Sequence, residues 1–96
     1  MTAQISAVMP GEPELREKAR EAIRGGRLPG TRASRTFGGP GSGATCVVCG
    51  GPIPRSDTDY ELEFNRHGVV PGFDRYYLHY RCFVAWELER TEVEDR

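Results

Sequence analysis

A chain of 96 residues, 38% hydrophobic and 28% charged, carries material for one small domain and little for a self-sufficient core, so a staple of some kind is expected. Its formal net charge of −1 hides an asymmetry: residues 1–45 hold seven basic against four acidic residues, a balance of +3, and residues 46–96 come to −4. Three cysteines cannot pair fully within one chain, and there is neither a basic leader with an apolar run nor a stretch of about 20 apolar residues, so a soluble, cytoplasmic protein with no membrane contact is expected.

Residues 1–11 show no periodicity and read as a loose tail. Residues 12–26 hold a short helix, its body at Pro13 to Arg24. Proline suits the first turn, Glu14 and Glu17 favour the positive end, and Gly25-Gly26 supply a stop. Its apolar stripe of Leu15, Ala19, Ala22 and Ile23 is thin, enough for a shallow contact with a neighbour. Residues 27–45, dominated by Gly, Pro, Ser and Thr with spaced arginines, read as a linker or extended arm. The glycines of "GGPGSGA" lack the Lys-Ser/Thr pair and the preceding strand of a phosphate-binding loop.

Residues 46–96 form the domain proper. The run "CVVCGGPIP" opens it with Cys46-x2-Cys49 before a glycine and proline turn. Tyr60 to Phe64 alternates apolar and acidic residues, the pattern of a strand with one buried face. Asn65-Arg66-His67-Gly68 supplies a turn, with His67 an ordinary turn residue or a spare metal ligand. Aromatic-rich Arg75 to His79 is a second strand. From Cys82 to about Glu94 the sequence reads as a helix with Cys82, Phe83, Trp86 and Val93 on one side.

After 29 intervening residues, "HYRC" gives His79-x2-Cys82. Two soft-ligand pairs, each with a two-residue gap, are what a tetrahedral ion requires: each pair closes a tight chelate and the long loop brings the pairs together. A redox Cys-x-x-Cys ordinarily opens a helix after a strand, whereas Cys49 is followed by Gly50-Gly51-Pro52. One structural Zn²⁺ on Cys46, Cys49, His79 and Cys82 is therefore expected, with iron the less natural alternative and two buried cysteines beside an unrelated His and Cys the bland one.

A cysteine turn, a hairpin and a helix carrying the last ligand make a treble-clef-like arrangement. The fold class expected is a small α+β zinc-stabilised domain, a treble-clef-like finger preceded by a short helix and a Gly/Pro/Arg-rich arm. The ligand spacing, Ile53-Pro54 after the knuckle and Phe83 after the last ligand resemble the zinc finger of poly(ADP-ribose) polymerases over residues 46–86. The resemblance implies binding to DNA ends and nicks through basic residues on the backbone and apolar residues on exposed bases. The acidic character of this finger, with Asp57, Asp59, Glu61, Glu63 and the run from Glu87 to Asp95, departs from what phosphate contact requires.

No nucleophile stands at a recognisable spacing from a base, and a closed Cys3His site has no open position to activate water, so a non-enzymatic module is expected. Its leading expected partner is DNA or RNA, contacted by Arg27, Arg32 and Arg35 of the arm and by stacking on Tyr77. The alternative is a protein partner or regulatory adaptor role through the acidic helix and the tyrosine-rich hairpin. Which holds depends on whether the basic arm folds over the acidic finger and neutralises it.

Overall fold

The computed structural model describes residues 11–66 and 70–94, the last four of these in backbone alone. In chain order it contains helix α1 (Glu12–Arg24), strands β1 (Arg35–Pro40), β2 (Thr58–Asn65) and β3 (Phe73–His79), and helix α2 (Tyr80–Glu94). The three strands form one antiparallel sheet in the order β1-β2-β3. Residues 1–10 of the tail expected at 1–11, the turn residues His67 and Gly68, and the side chains of Glu92, Val93, Glu94 and Asp95 lie outside the described residues.

Helix α1 begins where its sequence says it should. The Gly11 N–H donates to Glu14 Oε1 at 2.9 Å, Pro13 stands in the first turn, and Glu12 and Glu14 face the positive end. It stops at Gly25-Gly26, where Gly26 takes φ +78, a left-handed conformation that favours glycine, and the Arg27 N–H donates to the Ala22 carbonyl at 2.9 Å. Leu15, Ala19 and Ala22 are buried against α2, the small alanines letting the two helices approach closely.

Residues 27–45 are not a free linker. Leu28 is fully buried, the Pro29 carbonyl accepts the Trp86 Nε1–H at 2.8 Å, and Arg35 to Pro40 adds an edge strand that pairs with β2 from Arg35↔Glu63 to Pro40↔Thr58. The strand escapes a propensity reading because Gly38, Gly39 and Pro40 are poor strand formers; proline is tolerated here because it ends an edge strand. The partner strand supplies the ladder, and backbone pairing asks little of β1's side chains.

Strand β2 pairs on its other side with β3, from Asp59↔His79 to Asn65↔Phe73. Tyr60, Leu62 and Phe64 turn towards α2, where Tyr60 stacks on Phe83 at 4.5 Å between ring centroids and Phe64 meets Trp86 edge-on at 6.2 Å. Leu28, Ile53, Leu62, Leu78 and Trp86 are the large side chains that fill this core with Cys46 and Cys82. The expectation of one buried face needs correction on the acidic side: Glu63 is buried as well, covered by Arg35 and Arg75, which donate to its two oxygens at 3.2 and 2.9 Å from the neighbouring strands.

Candidate metal centre

The four expected ligands come together from three elements. Cys46 and Cys49 sit on a tight turn closed by Cys46 N–H to the Gly51 carbonyl at 2.8 Å and Gly50 N–H to the Cys46 carbonyl at 2.9 Å. Gly50 takes φ +83, which a side chain would strain, and this reverses the chain so that both sulfurs point to one spot. An isolated bridge between Thr45 and Pro52 closes the turn, and the Val47 N–H donates to the Tyr77 carbonyl at 2.9 Å, fastening it along β3. His79 is the last residue of β3, and Cys82 lies in the first turn of α2.

The four ligand atoms all lie within 4.8 Å of one another. His79 Nδ1 is 3.4 Å from Cys49 Sγ and 3.9 Å from Cys82 Sγ. Ligands bound tetrahedrally at about 2.0–2.3 Å are about 3.3–3.8 Å apart, so the cluster, within 4.8 Å throughout, approaches the size of a four-coordinate site. His79 Nε2 is 2.9 Å from the Pro52 carbonyl, which can only accept; Nε2 therefore carries the proton and Nδ1 presents its lone pair to the sulfurs. Cys46 and Cys82 are buried and Cys49 and His79 half-buried, which keeps the centre from bulk water.

The thiols are unequal. A hydrogen bond from Cys82 holds Cys46 down to about 4 against the opposing effect of burial, with backbone N–H groups of Cys49, His79 and Val48 helping. The same hydrogen bond, then burial, pushes Cys82 far up, and burial is the main cause that raises Cys49 above the ordinary thiol value. Burial and the closeness of the three sulfurs oppose their ionising together, and a cation at the centre would relieve that opposition. The donor set fits a structural divalent ion: Cys3His is closed, with no position left for a substrate. Among the described residues this is where three or more potential ligands gather.

The other expected site residues are not brought together in the same way. Arg35 is taken up by β1, where it pairs with Glu63 and lies over the Phe73 ring at 5.1 Å. Arg27 and Arg32 are exposed on the segment between α1 and β1, and Tyr77 is half-buried on β3. Arg16 and Arg20 reach across to α2, donating to the buried carboxylate of Glu89 at 2.6 and 3.0 Å. Sequence reading missed the Pro52 carbonyl as the group that orients His79; the proline beside the knuckle was visible, but its distance to the imidazole is a property of the folded loop. No family model, curated protein or solved structure matches this chain.

Proposed function

We propose that the chain is a non-enzymatic, zinc-stabilised interaction module whose ion is structural and whose partner is a protein. The observation that carries the zinc reading is the closed Cys3His cluster with its imidazole held by the Pro52 carbonyl. When bound, the ion supplies crosslinking of the knuckle, β3 and α2, and no Lewis-acid chemistry on a substrate. The succession of knuckle, β2–β3 hairpin and ligand-bearing helix supports a treble-clef assignment, here extended by β1 and α1. Three metal-ligating thiols without a disulfide suit a reducing compartment such as the cytoplasm.

A protein is favoured over nucleic acid because so much of the basic N-terminal half is spent internally: Arg16 and Arg20 on Glu89, Arg35 on Glu63. Nucleic-acid contact is the second reading. It rests on Arg27 and Arg32, which are exposed and make no ion pair among the described residues, with Tyr77 as the stacking residue. Purified protein is expected to carry one zinc per chain by native mass spectrometry, and alanine at Cys46, Cys49, His79 or Cys82 to lower that ratio. A folded, metal-free chain overturns the zinc reading. Salt-sensitive binding to duplex or single-stranded DNA by the zinc-loaded chain would transfer the partner assignment to nucleic acid.

A further inference from the structure

Strand β1 is an edge strand held from one side: among the elements of the fold it packs on β2 alone. The direction of its backbone groups follows from the ladder. Gly41 N–H donates to the Asp57 carbonyl at 2.8 Å, so Gly39, Phe37 and Arg35, each two residues further along the same register, also turn their N–H and C=O towards β2. Thr36, Gly38 and Pro40 therefore turn theirs outward. All three are exposed, and among the described residues no hydrogen bond answers the outward groups of Thr36 and Gly38. Pro40 agrees with this assignment, because proline is tolerated where a strand's N–H would face solvent.

The open row is short and bounded at both ends. Pro40 brings no N–H, and at the other end Ser34 is drawn back to β2, its N–H donating to the Glu63 carbonyl at 2.8 Å and its Oγ accepting from the Asn65 N–H at 3.0 Å. Between them lie the N–H and C=O of Thr36 and of Gly38, with Phe37 at the centre. Such an alternation of donors and acceptors is matched by another extended backbone. The row is also its own complement. A second β1 laid antiparallel about a twofold axis at Phe37 sets Thr36 of each copy against Gly38 of the other, and every open group is used once. An axis at Gly38 would set Thr36 against Pro40, which has no N–H to give, and an axis at Thr36 would set Gly38 against Ser34, whose N–H is already committed to Glu63.

We propose that β1 is a dimerisation edge, pairing antiparallel with β1 of a second copy of this chain so that two three-stranded sheets join edge to edge. The proposal gives the protein partner of the preceding reading a chemistry, and rests on that reading. The side chains agree with the register. Phe37 of the two copies form a cross-strand pair without hydrogen bonds, the closer kind of pair, and the ring of the single chain is 49% exposed and available for that contact. Arg35 of each copy stands beside Gly39 of the other, where nothing lies within 4 Å of the missing Cβ and the long side chain finds room. Assembly stops at two copies, since both β1 edges are then used and the outer edge of β3 is engaged by the knuckle, Val47 N–H donating to the Tyr77 carbonyl. So short a ladder makes a weak, concentration-dependent dimer.

The test is sedimentation velocity of the zinc-loaded full chain from about 1 µM to 1 mM, with amide hydrogen exchange read on the same samples. The dimer fraction is expected to rise with concentration, and the Thr36 and Gly38 amides to exchange several-fold more slowly at the top of the range than at the bottom. Thr36→Pro deletes an outward donor and leaves the ladder with β2 intact, so the variant should fold and its dimer dissociation constant should rise roughly tenfold or more. Phe37→Ala, at an exposed position, should raise it several-fold without unfolding the chain. A chain monomeric throughout, a dimer in which those two amides stay unprotected, or dimerisation indifferent to both substitutions overturns the proposal, and species larger than a dimer contradict its closure. Protection of the two amides in a chain that stays monomeric overturns the second copy as occupant of this edge. A monomeric chain leaves the protein-partner reading standing; salt-sensitive DNA binding by the same samples is the result that removes it.

Discussion

If the Cys3His cluster holds zinc as proposed, withdrawal of that ion is the perturbation to which this fold should be most sensitive. Domains of this length are stable by about 5–15 kcal/mol, and structural zinc supplies an apparent 10–16 kcal/mol or so at neutral pH, so the metal-free chain is expected to be unfolded. The structure says why the loss is not local. Cys46 and Cys82 are 1% and 2% exposed and sit in the core with Ile53, Leu78 and Trp86, so removing their common ligand loosens the start of α2 and the knuckle together. Denaturant unfolding in buffers of fixed free zinc reads the linkage directly: stability should climb by about 1.4 kcal/mol for each tenfold rise in free zinc while one ion binds the folded chain alone. Chelation should collapse the amide dispersion of Tyr60 to Phe64. A stability independent of free zinc, or dispersion that survives chelation, refutes the reasoning.

Glu89→Gln should lower stability by about 1–3 kcal/mol, since it removes the charge that Arg16 and Arg20 share, the range being kept low because both arginines are partly exposed. Burial pushes the Glu89 carboxyl up, but hydrogen bonds from Arg20 and Arg16 outweigh it and hold the group below the usual carboxylate range. Its contribution is then complete above about pH 4.3 and lost as pH falls further, so the gap in melting temperature between wild type and variant should stay constant from pH 8 to 5; narrowing between pH 8 and 6 contradicts it. Trp86→Phe leaves the Pro29 carbonyl without its donor and a gap beside Phe64 and Phe83, a loss of about 2–4 kcal/mol by urea unfolding; a loss under about 1 kcal/mol argues against that anchor. If DNA binds at all, replacing Arg27 and Arg32 by alanine should flatten the log-log salt slope by up to about two units, and adding Arg35→Ala should change it little, because Glu63 already holds that side chain.

The Cys3His cluster was legible because chelation is a local demand: a two-residue gap on each side and a long loop between are visible without knowing the path of that loop. The helices were legible from glycine, proline and the spacing of Leu15, Ala19 and Ala22. Strand β1 was not, since its glycines and proline carry no propensity and its reason for existing is the exposed ladder of β2. The same blindness covers Glu63 and Asp59. On the sequence they alternate with apolar residues and belong to solvent; in the fold two arginines cover the one, and β1 with Ser42 encloses the other. What a side chain is buried against depends on contacts 17 to 28 residues away, which no local pattern encodes.

The charge asymmetry of the sequence takes its meaning from those distant contacts. Cations of the N-terminal half meet carboxylates of the C-terminal half across two separate seams, α1 against α2 at Glu89 and β1 against β2 at Glu63. Both carboxylates are nearly inaccessible under this cover, and cutting away the first 45 residues would take Arg16 and Arg20 from Glu89 and Arg35 from Glu63. Leu28 and the Trp86–Pro29 hydrogen bond would go with them. The helix and arm that read as an appendage on the sequence are therefore packed into the same fold as residues 46–96.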